Sequence, residues 1–186
     1  MNKTAKIIFL DRDGVINKFP GFGNYVTKWS EFHFLPNAIK ATKLLADAGF
    51  EIVVISNQGC VARKLITKTN LNKLTRRMLN IIKKSGGRIH GVHYCYHQTN
   101  DECDCKKPKT SLFKKAIKGR AVKLGSTYFI GDSEEDMLAG ENLGCQKLLV
   151  LSGRLKRGNV KSLSVKPDVI KKDLWSAAQW IVKKKR

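Results

Sequence analysis

Asp11 and Asp13 stand one residue apart in Phe9-Leu10-Asp11-Arg12-Asp13-Gly14-Val15, directly after an apolar run beginning at Ile7. Two carboxylates so placed can divide phosphoryl transfer: the first attacks phosphorus and forms an aspartyl-phosphate, and the second protonates the leaving oxygen and later activates water. An isolated Asp-x-Asp-Gly is also an ordinary polar turn, so the reading depends on what else reaches the same place.

Three further motifs supply the missing parts. Ser56-Asn57-Gln58-Gly59 offers a hydroxyl and freed backbone N–H groups for phosphoryl oxygens. Lys107, in Lys106-Lys107-Pro108-Lys109, offers a fixed cation against the charge of nucleophile and phosphate. Gly131-Asp132-Ser133-Glu134-Glu135-Asp136 is a carboxylate cluster suited to hard oxygen coordination of Mg²⁺, although Asp132 or Ser133 would serve equally as a helix cap. Each has a bland alternative as a turn, a solvated lysine or a cap; all four fall in the order nucleophile, hydroxyl, lysine, metal carboxylate.

A separate constellation, Cys95-x-His97 followed after five residues by Cys103-x-Cys105, offers three thiolates and one imidazole, the complement of a closed tetrahedral Zn²⁺ site. Such an ion would be structural and would shape the loop, about 95–107, that carries Lys106 and Lys107. Cys145 reads as a core residue and Cys60 has no assigned partner. His33, His90 and His93 have no ligand spacing and read as solvated or satisfied histidines.

Strands are expected at 6–10, 51–56, 91–95, 126–130, 146–151 and 168–170, each after the first preceded or followed by a helical pattern. The helices are expected from Pro36-Asn37 to Gly49, from Thr67–Thr69 to Gly86, and over 111–118, 134–143 and 174–182. Strand–helix alternation predicts right-handed crossovers and a Rossmann-like, doubly wound α/β fold with a mostly parallel sheet. Ligands in such folds sit at the carboxyl ends of the strands, where all four motifs fall. The 186 residues are read as one domain, and the segment between Asn17 and Trp29 is too short for more than a minimal cap.

Thirty-six Lys and Arg against 15 Asp and Glu give a net charge of +21, which attracts polyanions such as phosphorylated metabolites, nucleic acid or an anionic membrane surface. The run Lys183-Lys184-Lys185-Arg186 reads as a solvated tail. The only N-terminal apolar run, Ile7 to Leu10, is too short for a signal h-region or a membrane span; five Cys in a chain without a secretory signal argue against a disulfide framework. A cytoplasmic monomer is expected.

These motifs together resemble the haloacid dehalogenase superfamily of Mg²⁺-dependent phosphatases, and within it the small-cap subgroup of heptose bisphosphate and histidinol-phosphate phosphatases. The resemblance runs from about Lys6 to Leu151. It implies that Asp11 is the nucleophile, that Asp13 is the general acid and base, and that Ser56 and Lys107 stabilise the phosphoryl group. It also implies Mg²⁺ on the Asp11 carboxylate, the Asp13 carbonyl and Asp132, supported by Asp136, and Zn²⁺ on the Cys95, His97, Cys103 and Cys105 cluster. Arg12, Asn24, Tyr25, Asn57, Gln58 and Lys106 are the expected substrate-binding set.

Lys106 stands where the subgroup usually has Arg, Ser133 where the heptose enzymes often have Lys, and Gly59-Cys60 replaces the usual small residue followed by Gly. The five-residue gap in the cysteine cluster is closer to the histidinol branch, whereas Tyr25-Val26, the stretch from Phe32 to Pro36 and Val61-Ala62-Arg63 are closer to the heptose branch. The expected reaction is hydrolysis of a small sugar phosphate, a heptose bisphosphate on the route to surface polysaccharide (lipopolysaccharide). Histidinol phosphate and 3′-phosphorylated nucleic-acid ends are the alternatives; no stacking pattern favours nucleic acid.

Overall fold

The computed structural model describes residues 4–185, the side chain of Lys185 excepted. Six strands form one parallel sheet: β1 (Ile7–Leu10), β2 (Glu51–Asn57), β3 (Gly91–Cys95), β4 (Tyr128–Gly131), β5 (Gln146–Val150) and β6 (Val169–Lys171). Their spatial order is β3-β2-β1-β4-β5-β6, and every pairing is parallel. The helices are α1 (Ala38–Asp47), α2 (Lys68–Lys84), α3 (Ser111–Ile117), α4 (Glu134–Leu143) and α5 (Leu174–Lys185).

Side chains of a strand alternate between faces, and the core divides accordingly. Ile8 and Leu10 of β1, Ile52 and Val54 of β2 and Ile130 of β4 pack on one face with α1, α2 and α5. Ile7, Phe9, Val53, Ile55 and Phe129 pack on the other with Leu112 and Phe113 of α3 and Ala139 and Leu143 of α4. Both faces are covered, which is why these strands are near-continuous hydrophobic runs. The edge-to-face contacts of Phe113 with Phe9 and Phe129, each at 5.0 Å between centroids, contribute about 0.5–1.5 kcal/mol apiece beyond burial.

The strand order reverses at β1 and β4. Their carboxyl ends diverge into different connections, which opens a crevice at this switch point. The register Leu10↔Ile130 and the bond from the Asp11 N–H to the Ile130 carbonyl (2.9 Å) bring the turns bearing Asp11 and Asp132 side by side.

Two features differ from expectation. Leu124–Ser126 forms a 3-10 turn, with the Ser126 N–H bonded to the Lys123 carbonyl at 3.0 Å, so β4 begins later. The basic C-terminal run is not a free tail: α5 continues to Lys185, and Lys183 and Lys184 are exposed in its last turn; Arg186 lies outside the described residues. The cap segment has no helix or strand between Lys18 and Lys28. Its ends are tied by the Lys18 N–H to the His33 carbonyl (2.8 Å).

Candidate active site

Asp11 leaves β1 pointing into the crevice, where its Oδ1 accepts from Lys107 Nζ at 2.7 Å. The same ammonium donates to Asp136 Oδ1 at 2.6 Å and lies 5.4 Å from the centroid of Phe129, so the core aromatic cluster forms the wall behind the lysine. Lys107 is far from Asp11 in sequence and is held by its peptide as well. Its N–H donates to Asn57 Oδ1 (3.0 Å) and its carbonyl accepts from Asn57 Nδ2 (3.3 Å). Asn57, expected to bind substrate, therefore spends its amide on positioning Lys107, although it also borders the cleft.

Burial raises the Asp11 pKa, opposed by the Lys107 charge and reinforced by Asp136 and Asp13. Burial would lower that of Lys107, but Asp11 and Asp136 more than reverse this and keep it charged. Asp132 is pushed well above the usual carboxylate range by burial, with Asp136 and Asp11 adding to the shift. One carboxylate oxygen from each of Asp11, Asp132 and Asp136 lies within 4.8 Å of the others, and Lys107 pairs with Asp11 and Asp136.

That excess of buried negative charge fits a divalent cation. Asp136 is the least free of the three: its Oδ2 accepts from Ser133 Oγ (2.7 Å) and from the Asp132 and Ser133 N–H groups, forming the capping box of α4 with Ser133 as N-cap. Within the 131–136 cluster Ser133 and Asp136 form the cap, and Asp132 is left facing Asp11.

Asp13 is gripped from behind. Its Oδ1 accepts from Arg12 Nη2 (2.9 Å) and Asn17 Nδ2 (2.8 Å), and its Oδ2 from Arg12 Nη2 (2.8 Å) and Gln58 Nε2 (2.7 Å). Burial would raise its pKa, but the Arg12 charge and the Asn17 and Gln58 bonds outweigh that and hold it below the ordinary value. Arg12 and Gln58 were expected to touch substrate. Both are fully buried and neither borders the cleft; they support Asp13 instead, and Arg12 also stacks over Tyr94 at 5.7 Å. Asn24 is exposed on the cap segment, outside the cleft lining, whereas Tyr25 lines it.

The cleft has a volume of about 190 Å³ and includes Asp11, Asp13, Ser56 and Lys107 in its lining. Lys106 lines it from the cysteine loop, with Nζ 2.6 Å from Thr99 Oγ1. Two lining cations lay outside the four motifs: Arg63, whose guanidinium is 5.7 Å over Tyr25, and Arg154, 5.3 Å over Phe19 of the cap segment. Arg63 belongs to the Val61-Ala62-Arg63 stretch that resembles the heptose branch, but in a chain this rich in Lys and Arg no local signal singles out Arg154.

Gly153 was also missed. A Cβ there would lie 1.7 Å from Asp132 Oδ2, and the next residue's N–H, that of Arg154, donates to the same oxygen at 2.7 Å. Gly14, at φ +86, meets Asp132 from the other side, where a Cβ would lie 2.1 Å from Oδ2.

At the end of β3 the four expected zinc residues converge. Cys95 Sγ is 3.0 Å from Cys105 Sγ and 3.8 Å from Cys103 Sγ, and His97 Nδ1 is 3.1 Å from Cys105 Sγ. These are nonbonded separations, and every cysteine of the group is free. Three sulfurs and a ring nitrogen meeting at one point fit a tetrahedral ion. Cys60 and Cys145 are buried apart from it, and burial pushes the Cys145 thiol up to about 12.

The sequence is similar to proteins named as phosphatases. A relative from Neisseria meningitidis serogroup A is 33% identical over 152 residues, 82% of this chain and 80% of its own length, and is named D-glycero-beta-D-manno-heptose-1,7-bisphosphate 7-phosphatase. This chain belongs to the haloacid dehalogenase-like phosphatases. A Haemophilus ducreyi relative of the same name is 35% identical over 157 residues, covering 80% of this chain and 85% of its own. The HAD-hydrolase-like family model matches residues 104–177. Among solved structures, the D,D-heptose 1,7-bisphosphate phosphatase of B. bronchiseptica, complexed with magnesium and phosphate, superposes with a TM-score of 0.88 at 28% identity, covering 96% of this chain and 99% of its own.

Proposed function

We propose that this phosphatase hydrolyses D-glycero-D-manno-heptose 1,7-bisphosphate at the 7-phosphate, through an aspartyl-phosphate on Asp11. The observation that carries the reading is Lys107, held between Asp11 and Asp136 at the floor of a cleft whose rim adds Arg63, Lys106 and Arg154. One phosphate would engage Lys107 and Ser56; the rim holds cations to spare for a second anionic group, as a bisphosphate requires. The substrate name comes from the relatives.

In the proposed reaction an Asp11 carboxylate oxygen attacks phosphorus while the bond to the sugar oxygen breaks, and Asp13 donates its proton to that oxygen. Asp13 then takes a proton from water, which attacks the aspartyl-phosphate and releases inorganic phosphate, restoring Asp11. The charge of an incoming phosphate raises the proton affinity of Asp13, opposing the depression that Arg12 imposes. Because both Asp13 oxygens are engaged, acid catalysis requires one of these bonds to be exchanged for the leaving oxygen.

Mg²⁺, held by Asp11, Asp132 and the Asp13 carbonyl, would supply charge neutralisation of the phosphoryl group. Zn²⁺ on Cys95, His97, Cys103 and Cys105 would fix the loop presenting Lys106 and Lys107. A thiolate cluster of this kind suits the reducing cytoplasm.

Asp11→Asn is expected to abolish phosphate release from the heptose bisphosphate while leaving the thermal unfolding midpoint within a few degrees of the parent. An unchanged rate would sink the nucleophile assignment. A panel of both heptose anomers, histidinol phosphate and a 3′-phosphorylated DNA end checks the substrate, and preference for histidinol phosphate would show that the cysteine-loop spacing was the better guide.

A further inference from the structure

Basic residues occur throughout the chain, but acidic ones do not: no Asp or Glu lies between Glu51 and Asp101. This stretch includes all of α2, the longest helix in the described chain. Its buried stripe is Leu71, Leu74, Thr75, Met78 and Ile82. Its exposed side carries Lys73, Arg76, Arg77, Lys83 and Lys84.

Among the described residues, none of these five cations has a carboxylate partner. The carboxylates of neighbouring segments are engaged elsewhere, Asp47 of α1 with Lys43 (2.6 Å) and Glu31 with Lys28 (3.6 Å). Arg77 is held by stacking 4.5 Å over Trp29, so part of the charge is pre-positioned rather than trailing in solvent.

We infer that the exposed face of α2 is a docking surface for the phosphodiester backbone of nucleic acid. Helical spacing puts Lys73, Arg76 and Arg77 within one turn of each other and Lys83 and Lys84 about two turns further on, with Asn80 between, a concentration of like charge that self-repulsion disfavours unless a polyanion offsets it. The interleaved exposed side chains are hydrogen-bonding ones, Thr69, Asn72 and Asn80, and Thr69, Asn72, Thr75 and Arg76 line a shallow groove of about 400 Å³. A membrane surface is the weaker fit. Peripheral helices add apolar side chains that enter the lipid, and the exposed large hydrophobics Phe22, Leu65 and Ile170 all lie off α2. The proposed contacts are to phosphates, with no base-reading element, so the binding is sequence-independent.

The test measures binding of the full chain to a labelled single-stranded RNA and a duplex DNA by fluorescence anisotropy, between about 50 and 200 mM salt. Five phosphate contacts on duplex predict a slope of log K against log salt of about −4 to −5. Lys73→Gln/Arg76→Gln/Lys83→Gln should make that slope shallower by about 2 to 3, with sugar-phosphate turnover unchanged as the check on folding. Removing equal charge beside β6, with Lys161→Gln/Lys166→Gln/Lys172→Gln, should leave it within about 1 of the parent.

Equal effects of the two triple variants would overturn the proposal, because diffuse net charge would then suffice. So would absence of binding at the lowest salt, or binding to phosphatidylserine vesicles without binding to either nucleic acid. None of these outcomes depends on which phosphomonoester the cleft hydrolyses.

Discussion

Arg12 carries more of this site than its place between two aspartates suggests. It is fully buried, and its charge and hydrogen bonds offset the cost of burying Asp13. Removing one partner of a buried pair leaves an uncompensated charge, so Arg12→Met is expected to lower unfolding free energy by about 3–5 kcal/mol. The sign of the pH dependence should also invert. In the parent the Asp13 pKa is lowered, so its contribution is present above the ordinary carboxylate range and is lost as pH falls through the folded value. Without Arg12 burial dominates and raises it, and Asp13 then destabilises the fold increasingly as pH rises through that range. Urea unfolding of parent and variant between about pH 3 and 7 checks both statements; parallel curves would show that the pair contributes nothing. Gly153 offers a second test. Gly153→Ala must displace Asp132, at a cost of about 1–3 kcal/mol, and is expected to raise the Mg²⁺ concentration for half-maximal rate about tenfold or more while leaving the unmagnesiated fold intact by circular dichroism.

At the scale of elements, the loop between β3 and α3 is the least self-sufficient part of the catalytic rim. It carries Lys106 and Lys107 but has only a few packed apolar side chains, with Cys103 and Cys105 at the fringe of the core. Its order rests on the Asn57 grip, to which an ion held by Cys95, His97, Cys103 and Cys105 would add. Cys103→Ser is expected to lower zinc content below one ion per chain and to reduce phosphate release by about 10–100-fold, with the far-ultraviolet spectrum preserved because the sheet does not depend on this loop. Full zinc loading in that variant would count against the assignment. The cap segment is tied at its base and makes two cation–ring contacts with the rim, Phe19 with Arg154 beyond β5 and Tyr25 with Arg63 beyond β2.

Across the whole molecule, the division between what sequence and structure each decided follows the range of the interactions. Strand and helix order was legible because it rests on local periodicity, and the strand ends bearing Asp11, Ser56 and Asp132 followed from it. Cys95, His97, Cys103 and Cys105 were legible because their ligand chemistry is compact in sequence. Burial and direction of polar side chains were not, since they depend on segments distant in the chain. Arg12 and Gln58 turn inward to Asp13, Asn57 clamps a peptide brought from beyond β3, and Arg63 and Arg154 become cleft residues only when the β2 and β5 loops meet the cap segment. The sequence alone determined the chemistry available, a carboxylate pair with a lysine and a cysteine–histidine cluster on an alternating α/β chain. Only the tertiary structure decided which polar groups face the cleft and which support it, because that choice is made by contacts between residues that the chain keeps far apart.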